Sequence, residues 1–282
     1  MGMLFGNYNK PGPGVRKDAP VQKAVPRFFS IFTRKFFDLV KLNLLFCIPV
    51  VAVAALVFAL NMVIRNLLID FIPVILFFPF IGGLTYVTRN YAREEHAFIL
   101  WDFKDAVTNN WKAFLIDGAL VYVVTMVLSV SIPYYISTSH QNFFMSFAAG
   151  ICILIAVLFL FSQYYVPVMI VTFDLKIGQI LKNSFIFSIV GLWRNLLLTA
   201  MLGILAFLVF IAFNVSVPLI VVVIVLFLFV LLLFSFCSLL INFTVYPLVD
   251  KMMIQPYLNN QNNSSGEDHQ KKETSSDFVD RT

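Results

Sequence analysis

The sequence predicts an all-α polytopic membrane protein with about six transmembrane helices plus cytoplasmic amphipathic helices. Two observations carry this. Of the 282 residues, 60% are apolar and only 12% are charged, against about 45–50% and about 25% in soluble domains. A soluble chain of this composition would expose large apolar patches and aggregate. The few charges are also bunched. Because a charge at bilayer depth is costly, the intervals between them mark the spans. Stretches such as 217–234 are apolar at nearly every position, which excludes the in–out alternation of a transmembrane β-barrel.

The elements follow in chain order. Residues 1–26 hold Asn9, Pro11, Gly12, Pro13 and Gly14 and read as a flexible cytoplasmic leader. The six-helix membrane domain runs over 27–258. It opens on an amphipathic helix with Arg27, Arg34, Asp38 and Lys41 on one face and Phe29, Phe32, Phe36 and Val40 on the other. That pattern suits an anchor lying in the membrane interface. Lys41 and Arg65 bracket 23 uncharged residues, enough for one span at 42–64. The Ala52-Val53-Ala54 triplet inside it resembles a cleavage site, but the long polar leader argues that this span is retained. Asp70 and Arg89 bracket the second span, at 71–88.

A cytoplasmic loop follows, with a helical stripe of Leu100, Phe103, Val107, Trp111 and Phe114 opposite Asp102, Asp105, Asn109 and Lys112. The uncharged interval between Asp117 and Asp174 marks two spans, 115–136, which takes in Asp117 near its start, and 147–172, divided by the polar run from Ser137 to Asn142. The loop up to Arg194 repeats the amphipathic design, with Ile177, Leu181 and Phe185 on one stripe and Lys176, Gln179 and Asn183 on another. Trp111-Lys112 and Trp193-Arg194 enter their spans alike, a faint sign of duplication. The last spans, 195–213 and 218–242, are parted by a turn at Asn214, Ser216 and Pro218. Residues 259–282 are rich in Asn and Ser and read as a disordered cytoplasmic tail.

Six spans with the N-terminus inside place all the basic residues except Arg65 on the cytoplasmic side, so both termini are expected there. The net charge of +5 is thereby explained by topology. The basic residues are scattered over four inner segments, which favours the lipid bilayer as partner and excludes nucleic acid. Cys47, Cys152 and Cys237 lie in separate spans, and His96, His140 and His269 in separate regions, so no metal-ligand spacing exists. No nucleophile, phosphate-loop or zinc-protease motif is present. Neither an enzyme nor a bound cofactor is expected.

The candidate site residues are polar or helix-breaking positions within spans. Pro79, Gly82 and Gly83 in the second span, with Pro73, would either interrupt the helix around a solute or let helices pack closely. Packing is the favoured reading. Asp117, one turn inside the third span, is placed to pair with Lys112 or Arg194. Gln163, Tyr164 and Tyr165 would line a polar cavity or sit in the aromatic belt. Asp102, Asp105 and Lys112 are partner-facing positions; the two carboxylates are three apart, but no His stands at ligand spacing and a solvated helix face is favoured.

The residues 42–50, 82–86, 93–95, 101–103 and 110–112, with the later 164–167 and 181–184, resemble the YesL-like family of bacterial integral membrane proteins, the domain of unknown function 624. Gly82-Gly83 stands where that family has a more mixed run of small residues. The resemblance implies a multi-pass protein of the bacterial cell membrane, associated with carbohydrate uptake or its regulation, with a carbohydrate ABC-transporter permease or related membrane protein as partner. It carries over no site residue. The alternative is a small-solute, sugar-like transporter or channel built on the broken second span.

Overall fold

The structure, a computed structural model, describes residues 23–64, 66, 71–139, 142–214 and 219–256. The leader up to residue 22, Arg65, residues 67–70 with Asp70, the turn residues 140–141 and 215–218, and the tail from 257 lie outside them. The described residues form helices without a strand: α1 (Ala24–Arg34), α2 (Phe36–Val63), a 3₁₀ segment (Ile72–Phe77) leading into α3 (Phe78–Ala92), α4 (Ile99–Thr138), α5 (Phe143–Ile170), α6 (Ile177–Val190), α7 (Leu192–Asn214), α8 (Leu219–Leu228) and α9 (Phe234–Val249). Short π-helical segments at Phe229–Leu233 and Asp250–Ile254 flank α9. Six helical stretches are long and apolar enough to cross a membrane. This is a multi-pass membrane protein.

Much of its exterior is apolar, and a set of polar side chains lies inside. Large apolar side chains such as Phe58, Val130, Phe144, Leu197 and Phe227 are exposed, while Asn43, Thr88, Arg89, Asp117, Asn195, Ser235 and Asn242 are buried. In lipid the apolar surface has no reason to hide, so helix association rests on packing and on hydrogen bonds between helices.

Four features of the helices depart from the sequence pattern. The interfacial helix begins at Ala24, within the stretch read as leader, and buries Phe28 and Ile31 while Phe29 is 58% exposed. The core-facing side is set by rings on α9: Phe28 meets Phe236 and Phe243 with centroids 5.8 and 5.3 Å away. The amphipathic loop helix and the third span are one continuous helix, α4, because no breaker separates them and Pro133 lies far downstream. Its buried face is Phe103, Ala106, Phe114 and Asp117; Leu100 and Trp111 point outward. On α6 the inward positions are Ile180, Ser184 and Phe187, and Phe185 is exposed. The last span runs to Ile254, well past residue 242.

The duplicated design is not repeated in three dimensions. The helix-to-span junction is unbroken in α4, whereas α6 and α7 are separated at Gly191. A β-carbon there would collide with the Tyr165 hydroxyl.

Candidate functional site

The site is organised by α3, against which α4 and α9 pack most extensively. Pro73 and Pro79 both occupy first-turn positions, of the 3₁₀ segment and of α3 respectively. There their missing N–H groups cost nothing and their fixed φ starts the turn. The second span therefore passes from 3₁₀ to α winding at Phe78 without a break in the helix. The two glycines serve packing: a β-carbon on Gly82 would lie 2.5 Å from Phe114 Cε2, and one on Gly83 2.7 Å from Phe103 Cδ2. Phe78 lies as close to Gly118 on α4.

Beyond the glycines, α3 turns its polar residues inward. Thr88 Oγ1 lies 2.7 Å from Ser238 Oγ and receives a hydrogen bond from Asn242 Nδ2 at 2.9 Å. Asn242 Nδ2 also donates to the Ser238 carbonyl at 2.9 Å, which fixes the amide orientation and leaves Oδ1 without a partner among the described residues. Arg89, only 6% exposed, donates from Nη1 to the Val171 carbonyl at 2.6 Å and to Thr172 Oγ1 at 3.0 Å. Its Nε and Nη2 reach Asn90 Oδ1, and its guanidinium lies 4.6 Å from the Tyr86 ring centroid. Val171 caps α5, so Arg89 supplies a cation to a helix C-terminus and bonds a carbonyl the helix cannot satisfy.

A cavity of about 770 Å³ opens between α2, α3, α4, α5 and α9. Its walls are mostly Phe, Leu, Ile and Val, and none of its lining residues is charged. Thr85, Gln163, Tyr164, Ser238 and Asn242 are polar members of that lining. Two of the sequence-predicted residues, Gln163 and Tyr164, thus meet there. Tyr164 shares a hydrogen bond with Thr199 at 2.9 Å. Asp117 is fully buried behind Gln163, whose Nε2 lies 3.5 Å from Oδ1, the long limit of a hydrogen bond; neither Lys112 nor Arg194 pairs with it. Instead, Lys112 lies 5.5 Å from the Trp111 ring.

Tyr165 faces the other way. Its hydroxyl donates to Asn195 Oδ1 at 2.8 Å, and Asn195 Nδ2 in turn caps the end of α6 through the Ser188 carbonyl at 3.1 Å. Asp102 accepts from the Phe98 backbone N–H at 2.8 Å and so starts α4, while Asp105 is exposed. No group of three or more metal-ligating side chains occurs among the described residues. Sequence reasoning missed Asn43, Thr88, Asn195 and Asn242. Asn43 and Asn242 are lone amides inside apolar runs, which was the available signal; Thr88 and Asn195 sit beside Arg89 and Arg194 at the ends of spans, where polar residues are ordinary.

The region from α2 through most of α4 can be compared with known families. Residues 39–132 match a family model described as protein of unknown function, DUF624. The family resemblance holds there. The DUF624 segment is a third of the chain. It contains Asn43, Gly82, Gly83, Arg89 and Asp117, and it leaves α5 to α9 outside. No curated protein and no solved structure matches the chain.

Proposed function

We propose that this chain is a membrane-embedded accessory protein associated with carbohydrate uptake or its regulation, working beside a carbohydrate ABC-transporter permease or related membrane protein. The distribution of Lys and Arg supports placing both termini in the cytoplasm, and the family resemblance supports a bacterial cell. The observation that supports an assisting role over transport is the lining of the large cavity. A sugar pathway needs hydrogen-bonding groups to replace water along its length, and an ion-coupled carrier needs a titratable or charged group within it. This lining is apolar over most of its extent and uncharged throughout. The association with carbohydrate rests on the family resemblance.

Cross-linking in native membranes, followed by purification and mass spectrometry, tests the proposal. A permease or ATPase of a carbohydrate importer is expected to co-purify. Repeated recovery without either overturns it. The second reading, a small-solute channel, draws on the polar residues Gln163, Tyr164 and Asn242 in the cavity wall. Purified protein in vesicles is expected to pass no sugar; flux abolished by Gln163→Leu would establish that reading instead.

A further inference from the structure

A second cavity, of about 670 Å³, has charged residues in its lining, which the first lacks. Arg27 on α1, Arg93 at the end of α3 and Arg194 at the start of α7 converge on the last turns of α9, with Asp250 the one acid in the lining. We propose that this cavity binds the phosphodiester headgroup of an anionic phospholipid.

Two of the three arginines are held in place from outside the cavity. Glu94 takes Arg27 Nε at 2.8 Å, and Glu95 takes Arg93 Nη2 at 2.6 Å; neither carboxylate belongs to the cavity lining. The Arg93 guanidinium lies 5.2 Å from the Tyr246 ring centroid and that of Arg27 6.0 Å from Phe243. Each guanidinium thereby keeps donors uncommitted to the protein. Arg194 has no carboxylate of the described residues within 4 Å and makes no ion pair at all among them. Three guanidiniums from three separate elements form a fork-lined anion site, and planar bidentate donors match phosphate oxygens.

The same surroundings select a lipid over a free ion. Trp193, beside Arg194, is 75% exposed, a marker of the membrane–water boundary. Asn242 lines this cavity and the large apolar one alike, so a polar compartment adjoins an apolar one at a single side chain. That is the division an amphiphile carries. Asp250 limits the charge the cavity welcomes and favours a singly charged phosphodiester over a polyphosphate.

Native mass spectrometry of the full chain in detergent tests the assignment. The probes are phosphatidylglycerol, diacylglycerol with the same acyl chains, and inorganic phosphate. Phosphatidylglycerol is expected to bind and diacylglycerol not. Arg194→Gln is expected to weaken phosphatidylglycerol binding about fivefold, Asp250→Asn to strengthen it, and Lys104→Gln, an exposed charge on α4 outside the cavity, to leave it unchanged. The rise with Asp250→Asn cannot come from misfolding and decides the matter if Arg194→Gln is unstable. Equal binding of diacylglycerol, or an equal loss with Lys104→Gln, overturns the proposal. Displacement of the lipid by millimolar inorganic phosphate shows a free-ion site and overturns the lipid assignment.

Discussion

Glu94 adopts φ 61°, a left-handed conformation that glycine fills far more easily than a side chain with a β-carbon. It closes α3 by a pair of backbone bonds, its own N–H to the Tyr91 carbonyl at 2.9 Å and the Glu95 N–H to the Asn90 carbonyl at 2.8 Å, the arrangement in which helices often end on glycine. The carboxylate explains the residue: it accepts from Arg27 Nε at 2.8 Å and Arg34 Nη2 at 2.9 Å, tying α1 to the end of α3. Glu94→Ala keeps the strain and loses both bonds. Faster amide hydrogen exchange over residues 24–34 is the expected result, and unchanged protection would show that α1 is held by its phenylalanines alone. Glu94→Gly should loosen α1 equally while regaining up to about 1 kcal/mol of backbone strain. The hydrogen bonds from Arg34 and then Arg27 hold the Glu94 carboxyl below the ordinary glutamate range. The clamp is therefore complete above about pH 5 and is lost as pH falls through the lowered folded-state value. With the side chain 38% exposed, solvent screening keeps its worth to about 1 kcal/mol or less. Exchange of the α1 amides should accelerate on acidification in the native protein and be far less pH-sensitive in Glu94→Gln, after correction for intrinsic rates.

Between elements, two devices bring the helices together. One is close approach: the small residues of α3 admit Phe103 and Phe114 of α4. Gly82→Val is expected to destabilise by about 1–3 kcal/mol through overpacking, read as a lower unfolding midpoint in detergent. Phe114→Ala in the same chain should recover part of the loss. A neutral Gly82→Val would mean that α3 and α4 do not meet at this position. The other device is the lone buried amide. Asn43 on α2 donates to the Val230 carbonyl at 2.7 Å and accepts from the Ser235 N–H at 2.8 Å, supplying partners where the π-helical segment disturbs the regular ladder. The glycines were legible as packing residues, because a small residue inside an apolar helix has few other uses. The amides were not. Thr88 and Ser238 are 150 residues apart in sequence, and nothing in either local run names its partner. The buried faces of α1 and α6 were misassigned for a related reason. α6 is apolar around most of its circumference, so periodicity alone does not choose between the side facing protein and the side facing lipid; the apolar face of α1 is one-sided but wide, with Phe29 at its edge and Phe28 near its centre.

At the scale of the whole molecule, the charge-free intervals gave the number of spans because charge reports membrane depth directly, but depth is silent on whether a helix continues past the boundary. α4 is the clearest case. Its 40 residues extend about 60 Å at 1.5 Å per residue, roughly twice the hydrocarbon thickness of about 30 Å. It therefore crosses the membrane and projects well beyond it at the end that carries Asp102, Lys104, Asp105 and Lys112. Asn109 and Ser139 stand about 45 Å apart along this one helix, close to the full thickness of a bilayer with its headgroups. Single cysteines at these two positions, in a chain with Cys47, Cys152 and Cys237 replaced by serine, should therefore react with a membrane-impermeant maleimide from opposite sides. With the positive-inside orientation proposed above, Ser139→Cys labels in intact cells and Asn109→Cys only after permeabilisation. Labelling of both in intact cells would remove α4 as a span and with it the six-span count. A reversed pair would keep the count and invert the orientation, placing the arginine-lined cavity at the outer face of the membrane.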